Sequence, residues 1–185
     1  MSLPDTALVR EAQGIVGRAL PAPILAHSLR TFRLAEAYAR ATSRQHDEEG
    51  LCLAALFHDL GLALGAPSLP FQVASSRALV HFLEERGVPA ERITPLADAI
   101  DFHLALLPRW SLGAEVGLLQ VGAWMDVYGL RRRRVREEAA RIDAEHPRVG
   151  FSTAFHRALF ASIVRAPLAC VGMLAPGPWR YSVGA

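Results

Sequence analysis

Apolar residues recur three and four positions apart through most of this chain, as in FQVASSRALVHFLEE, and strict alternation is nearly absent. A period of 3.6 predicts helices near 5–18, 23–42, 47–60, 71–87, 90–106, 114–129, 132–144 and 149–165, so the expected fold class is all-α. Pro21, Pro23, Pro67, Pro70, Pro89, Pro108 and Pro147 fall between these segments, where helix starts and breaks accept proline. Residues 1–175 read as one helical bundle, with no repeat, composition break or linker to divide it. Residues 176–185, with two prolines and two glycines, read as an irregular tail.

Two interruptions of the pattern carry chemistry. Between Gly50 and Ser76 the only formally charged residue is Asp59, preceded by His58; between Val116 and Leu130 it is Asp126. A lone ionised carboxylate in such surroundings is costly unless paired or bound to a cation. His27, early in the second helix, adds an imidazole to another mostly apolar stretch. Two histidines and two aspartates converging from separate helices would satisfy one another through a divalent metal. Gly61 reads as the C-terminal cap of the third helix, placing His58 and Asp59 at a helix end where neighbouring side chains can share one ion. The small residues Gly117, Gly122 and Ala123 let a neighbouring backbone approach the helix that carries Asp126.

Composition narrows the classes. Among 185 residues, 51% are hydrophobic, yet no apolar run reaches the roughly 18 residues of a membrane span. The amino terminus lacks a secretory pattern, so a cytoplasmic location is expected. All 20 basic residues are arginine, which excludes a Schiff-base lysine and a phosphate-loop lysine. The net charge of +2 does not imply nucleic acid. The run Arg131–Arg134 with Arg136 reads as a solvated helix start balanced by Glu137 and Glu138. Cys52 and Cys170 have no framework spacing and are expected to be buried, unreactive thiols. Trp110, Trp124 and Trp179, with the apolar composition, permit a homodimer.

The order His27, His58-Asp59, Asp126 resembles the signature of the HD-domain superfamily of metal-dependent hydrolases. The strings HSLRTFRLAEAYA, LAALFHDLGLA, FQVASSRALVHFLEERGV, LADAIDFHLAL and LLQVGAWMDVYG, over residues 24–130, are similar to its cyanamide hydratase-like branch. The resemblance implies a helical bundle with His27, His58, Asp59 and Asp126 as metal ligands. Zn²⁺ is the first expectation; Fe²⁺, Mn²⁺, Co²⁺ and Ni²⁺ also suit such a set. It implies that His103, in AIDFH, contacts substrate or bound water and moves a proton. Arg30, from HS-x-R, would hold a ligand carboxylate from behind or meet an anion. Phe71-Gln72 stands where the branch often has Phe-Glu, so Gln72 would face substrate, or support a ligand from behind, without that charge. Some HD proteins hold a second metal, for which His81 and His103 would serve; one metal is expected.

The activity implied is hydration or hydrolysis of a small molecule by metal-activated water, with water addition to a C≡N or C=N carbon as its pattern. Phosphohydrolysis of a nucleotide or phosphate ester is the alternative. Members of the nucleotidase type carry an acidic residue where this chain has Leu62. A non-catalytic helical domain with a structural metal is the third expectation.

Overall fold

The computed structural model describes residues 3–65, 69–165 and 167. Its elements are α1 (Ala7–Ala19), α2 (Ala22–Ala41), α3 (Glu48–Phe57), α4 (Gly61–Leu64), α5 (Phe71–Glu84), α6 (Ala90–Phe102), α7 (Ala114–Tyr128), α8 (Arg136–Glu145) and α9 (Phe151–Arg165). Single 3-10 turns at Trp110–Leu112 and Arg132–Val135 precede α7 and α8. No strand occurs among the described residues. The all-α expectation therefore holds.

Helices α2 and α7 form the centre. Each is buried over most of its circumference, and α3, α6, α8 and α9 pack around α2 or α7. A helix apolar on nearly all sides belongs inside a bundle rather than on its face, which is why α7, with Val116, Leu118, Leu119, Val121 and Met125 all buried, sits there. A β-carbon on Gly122 would lie 2.3 Å from the Thr31 carbonyl oxygen, so the two backbones meet at a distance only glycine permits. The pair lies one turn after His27 on α2 and one turn before Asp126 on α7. The helices therefore run antiparallel, and this contact sets His27 opposite Asp126.

Several boundaries differ from the periodicity. The expected helix 47–60 ends at Phe57 because the His58 Nδ1–H donates to the Ala55 carbonyl (2.7 Å), closing the last turn with a side chain. Gly61 is not a left-handed cap. It opens α4, where a β-carbon would fall 1.9 Å from the Phe71 carbonyl oxygen, so close approach to α5 is what demands glycine. The segment expected to run to 106 stops at Phe102: side chains of α7 take the next carbonyls, Trp124 Nε1 donating to His103 (3.1 Å) and Gln120 Nε2 to Ala105 (2.8 Å). Pro108 then has no N–H with which to continue a helix.

The arginine run forms a 3-10 turn, and Arg132 pairs with Asp143 (2.7 Å) rather than with Glu137 or Glu138. Cys52 is buried, and burial pushes its thiol up to about 12. Cys170, Trp179 and the tail 176–185 lie outside the described residues. No helix among the described residues is long and apolar enough to cross a membrane.

Candidate metal centre

Three side chains from two separate parts of the chain converge below a small cavity. His27 comes from the second turn of α2, and His58 and Asp59 come from the turn between α3 and α4. The His27 Nε2 lies 3.2 Å from His58 Nε2 and 3.6 Å from Asp59 Oδ2, and His58 Nε2 lies 3.4 Å from the same oxygen. All three residues are buried.

Hydrogen bonds fix the tautomers. The Ala55 carbonyl can only accept, so His58 carries its proton on Nδ1 and turns a lone pair on Nε2 towards the others. His27 Nδ1–H donates to Asp126 Oδ2 (2.6 Å), which likewise leaves its Nε2 as an acceptor. Two acceptor nitrogens and a carboxylate oxygen in contact repel one another unless a proton or cation lies between them. Asp59 Oδ2 has no hydrogen-bond partner although it is shut off from solvent. Such an orphaned oxygen is expensive.

These residues fit a divalent ion. The three atoms form a nearly equilateral triangle, and its centre lies at the edge length divided by √3, about 2.0 Å from each corner; zinc binds histidine nitrogen and carboxylate oxygen at about 2.0–2.2 Å. Burial, with His27 nearby, lowers the His58 pKa to about 3 and keeps its imidazole neutral, as ligation requires. Burial also raises the Asp59 pKa, the mark of a carboxylate without enough compensating charge.

Asp126, expected as a fourth ligand, meets the other nitrogen of the His27 ring. It lies beyond the far nitrogen of His27 and does not belong to the converging group. Its Oδ1 accepts from Arg30 Nε (2.8 Å) and Arg148 Nη1 (2.6 Å), and its Oδ2 accepts from Arg30 Nη2 (2.9 Å) as well as from His27. Burial alone would raise its pKa; the hydrogen bonds from His27 and Arg30 overcome this and hold it well below the carboxylate range. Arg30 is wholly buried and turns Nη1 to the carbonyls of His146 (3.1 Å) and Pro147 (3.2 Å). Of its two expected roles it takes the carboxylate-holding one, although the carboxylate is not among the converging three.

The cavity offers about 50 Å³ of space to water-sized groups, enough for a few such groups. His27, His58, Asp59 and His103 supply its polar surface; Leu104, Trp124, Val127, Tyr128 and Phe155 supply most of the rest. His103 donates Nδ1–H to the Ile100 carbonyl (2.6 Å), which leaves Nε2 free of its proton. Burial, with His58 nearby, lowers its pKa to about 4.

Gln72 is buried on α5 with Oε1 unpartnered, but it does not line the cavity. His81 does not join His103 in a second metal site: its side chain is 73% exposed on α5 and pairs with Glu85 (3.3 Å). The polar face of an amphipathic helix explains that outcome.

Periodicity did not find Arg148, Phe151 or Phe155. Phe151 stacks on the His27 ring with centroids 4.6 Å apart, and Phe155 lines the cavity. The i, i+4 spacing of the two phenylalanines signals an inward face on α9. Nothing local marks Arg148 as the partner of a residue 22 positions earlier.

Comparison with known families adds the decisive observation: the HD-domain family model matches residues 24–123, more than half of the chain. The chain belongs to the HD-domain family. The match takes in His27, His58, Asp59 and His103 and stops short of Asp126. HD domains bind divalent metals and are usually phosphohydrolases, and in this one His27, His58 and Asp59 could hold the ion. No curated protein matches the sequence.

Proposed function

We propose that this HD domain is a metal-dependent enzyme that adds water to a small uncharged molecule, with the C≡N or C=N carbon of a cyanamide-like compound as the reference substrate. The observation that carries this reading is the chemistry of the cavity wall. Among the described residues, those lining the cavity include no arginine, and the chain has no lysine. Arg30 and Arg148, the guanidinium groups bonded nearest the centre, are both committed to Asp126. A phosphate ester would bring charge into a small apolar space with no cationic side chain to receive it, a poor match for a group that proteins usually clamp with guanidinium or ammonium.

A divalent ion, when bound, polarises substrate and lowers the pKa of water towards about 7. Zinc is the first candidate by donor type, and three protein ligands is the number that catalytic zinc sites use. The chain's own residues do the rest. His103 presents the lone pair of Nε2 to the cavity and can orient water or a substrate N–H, with Asp59 close enough to favour its protonated form as a proton arrives. Trp124, Phe155 and Leu104 exclude bulk water and select a small apolar body.

The family's usual activity favours phosphohydrolysis as the second reading, although the apolar Leu62 is buried where nucleotidase-type relatives carry an acid. A purified protein of measured metal content, screened with cyanamide and small nitriles and in parallel with nucleoside monophosphates, separates the two. Urea, amide or ammonia production, lost in Asp59→Asn, is the expected result. Phosphate release without hydration overturns it, and full metal with neither activity points to a structural metal.

A further inference from the structure

We propose that the arginine run between α7 and α8 is a docking surface for an anionic lipid membrane, which the protein meets from outside without crossing it. Glu137 and Glu138 are the counter-charges that the sequence pattern suggests, yet the folded chain does not use them so: Glu137 lies 3.7 Å from Arg141 instead. Arg132 is tied to Asp143 (2.7 Å) and to the Ala139 carbonyl (3.3 Å), which pins the turn to α8. The side chains of Arg131, Arg133, Arg134 and Arg136 make no hydrogen bond or ion pair among the described residues. Arg131 holds φ +63°, a left-handed backbone unfavourable for any residue but glycine. Val135 is the one buried residue of the 3-10 turn, while Arg133, Arg134 and Arg136 are exposed.

Four unmatched positive charges call for an anionic partner, and their surroundings select which. Tyr128 and Leu130, just before the run, are 67% and 43% exposed, and Val149 on the α8–α9 corner is 84% exposed. That corner belongs to the same end of the bundle, because the Arg148 guanidinium donates to the Asp126 carboxylate (2.6 Å) and to its carbonyl in the last turn of α7. Arginines beside exposed apolar side chains suit the boundary between lipid headgroups and acyl chains, where a tyrosine ring is also favoured. Charge distribution argues against a nucleic-acid strand. The run holds five arginines in a chain of net charge +2, which leaves −3 for everything else. A strand that continues past this turn meets net repulsion, whereas a flat anionic surface touches the molecule at this end alone.

Each arginine near an anionic bilayer is worth about fivefold in binding, and the attraction is screened over about 10 Å at 0.1 M salt. The test sediments the full chain with vesicles of phosphatidylcholine alone and with vesicles that add about 30% phosphatidylserine, beside a titration with single-stranded RNA of about 20 nucleotides. Binding to the phosphatidylserine vesicles alone is expected, released at about 1 M salt. The pair Arg133→Gln with Arg134→Gln should weaken it about 25-fold, and Leu130→Ser should weaken it further. Both arginines are exposed and without side-chain partners, so the thermal melt of the paired variant should match wild type, which separates lost binding from lost fold. No sedimentation with either vesicle overturns the proposal, as does equal binding to both. RNA bound more tightly than vesicles at equal phosphate concentration overturns it in favour of a nucleic acid. Vesicle binding that either the arginine pair or Leu130→Ser leaves unchanged overturns it too.

Discussion

Replacing Arg30 by methionine removes a fully buried guanidinium while keeping most of the side-chain volume. The loss can be worked from its contacts. Two charge-assisted bonds to Asp126 disappear, and the His146 and Pro147 carbonyls lose their side-chain donor. Breaking a buried pair by deleting one partner costs about 3–5 kcal/mol, because the other charge stays behind unpaired. Arg148 and His27 still hold Asp126, which puts the expected loss near the lower end, about 3 kcal/mol. For a chain of this length that lowers Tm by roughly 6–12 °C.

Thermal and urea unfolding followed by circular dichroism measure this directly. Arg148→Met, whose side chain is 35% exposed and pairs with the same carboxylate, should cost only about 1 kcal/mol. An Arg30→Met protein within about 0.5 kcal/mol of wild type would refute the premise that Asp126 depends on this guanidinium.

Metal-free stability should fall on acidification. Unfolded histidine titrates near 6.5 whereas His58 and His103 titrate at about 3 and about 4, so between these values the unfolded chain binds more protons; the stability is complete above pH 6.5 and is lost as pH falls. Urea melts at pH 7.5 and 5 should differ by up to about 2 kcal/mol per histidine, opposed by Asp59, whose raised pKa lets the folded chain take up a proton on acidification; equal midpoints in an Asp59→Asn protein, which lacks that offset, would contradict the buried neutral assignment. Gly61→Ala should destabilise by about 3 kcal/mol or more, because the Phe71 backbone it meets cannot yield, whereas Gly87→Ala, at φ +68° with open space around it, should cost about 1 kcal/mol; thermal melts that rank the two oppositely would sink the close-approach argument. Saturating Zn²⁺ or Co²⁺ at 100 times Kd should stabilise the fold by about 2.7 kcal/mol, reversed by a chelator, while Asp59→Asn should show no such shift in a scanning melt.

The helix pattern needed only local periodicity, so the all-α class and the approximate places of the long helices were legible in the chain. So was the anomaly of His58-Asp59, because one charge in a long apolar stretch demands compensation wherever the stretch packs. His27 and His103 were recognisable from the strings around them. Ends set by distant partners were not: α6 stops where Trp124 and Gln120 capture its following carbonyls, and Gly61 is required by the Phe71 backbone rather than by its own φ.

The sequence alone determined which side chains could not be left unpaired in the interior, since that follows from transfer energetics and composition. Only the tertiary structure decided which partner each one meets. Asp59 and Asp126 look alike in sequence, both single carboxylates of an apolar stretch and both near the end of an expected helix. The antiparallel crossing of α2 and α7, with the α8–α9 corner, surrounds Asp126 with donors, while the turn after α3 leaves Asp59 facing two imidazole lone pairs. Hydrogen-bond saturation is a property of the assembled neighbourhood, and residues 22 to 99 positions apart create it.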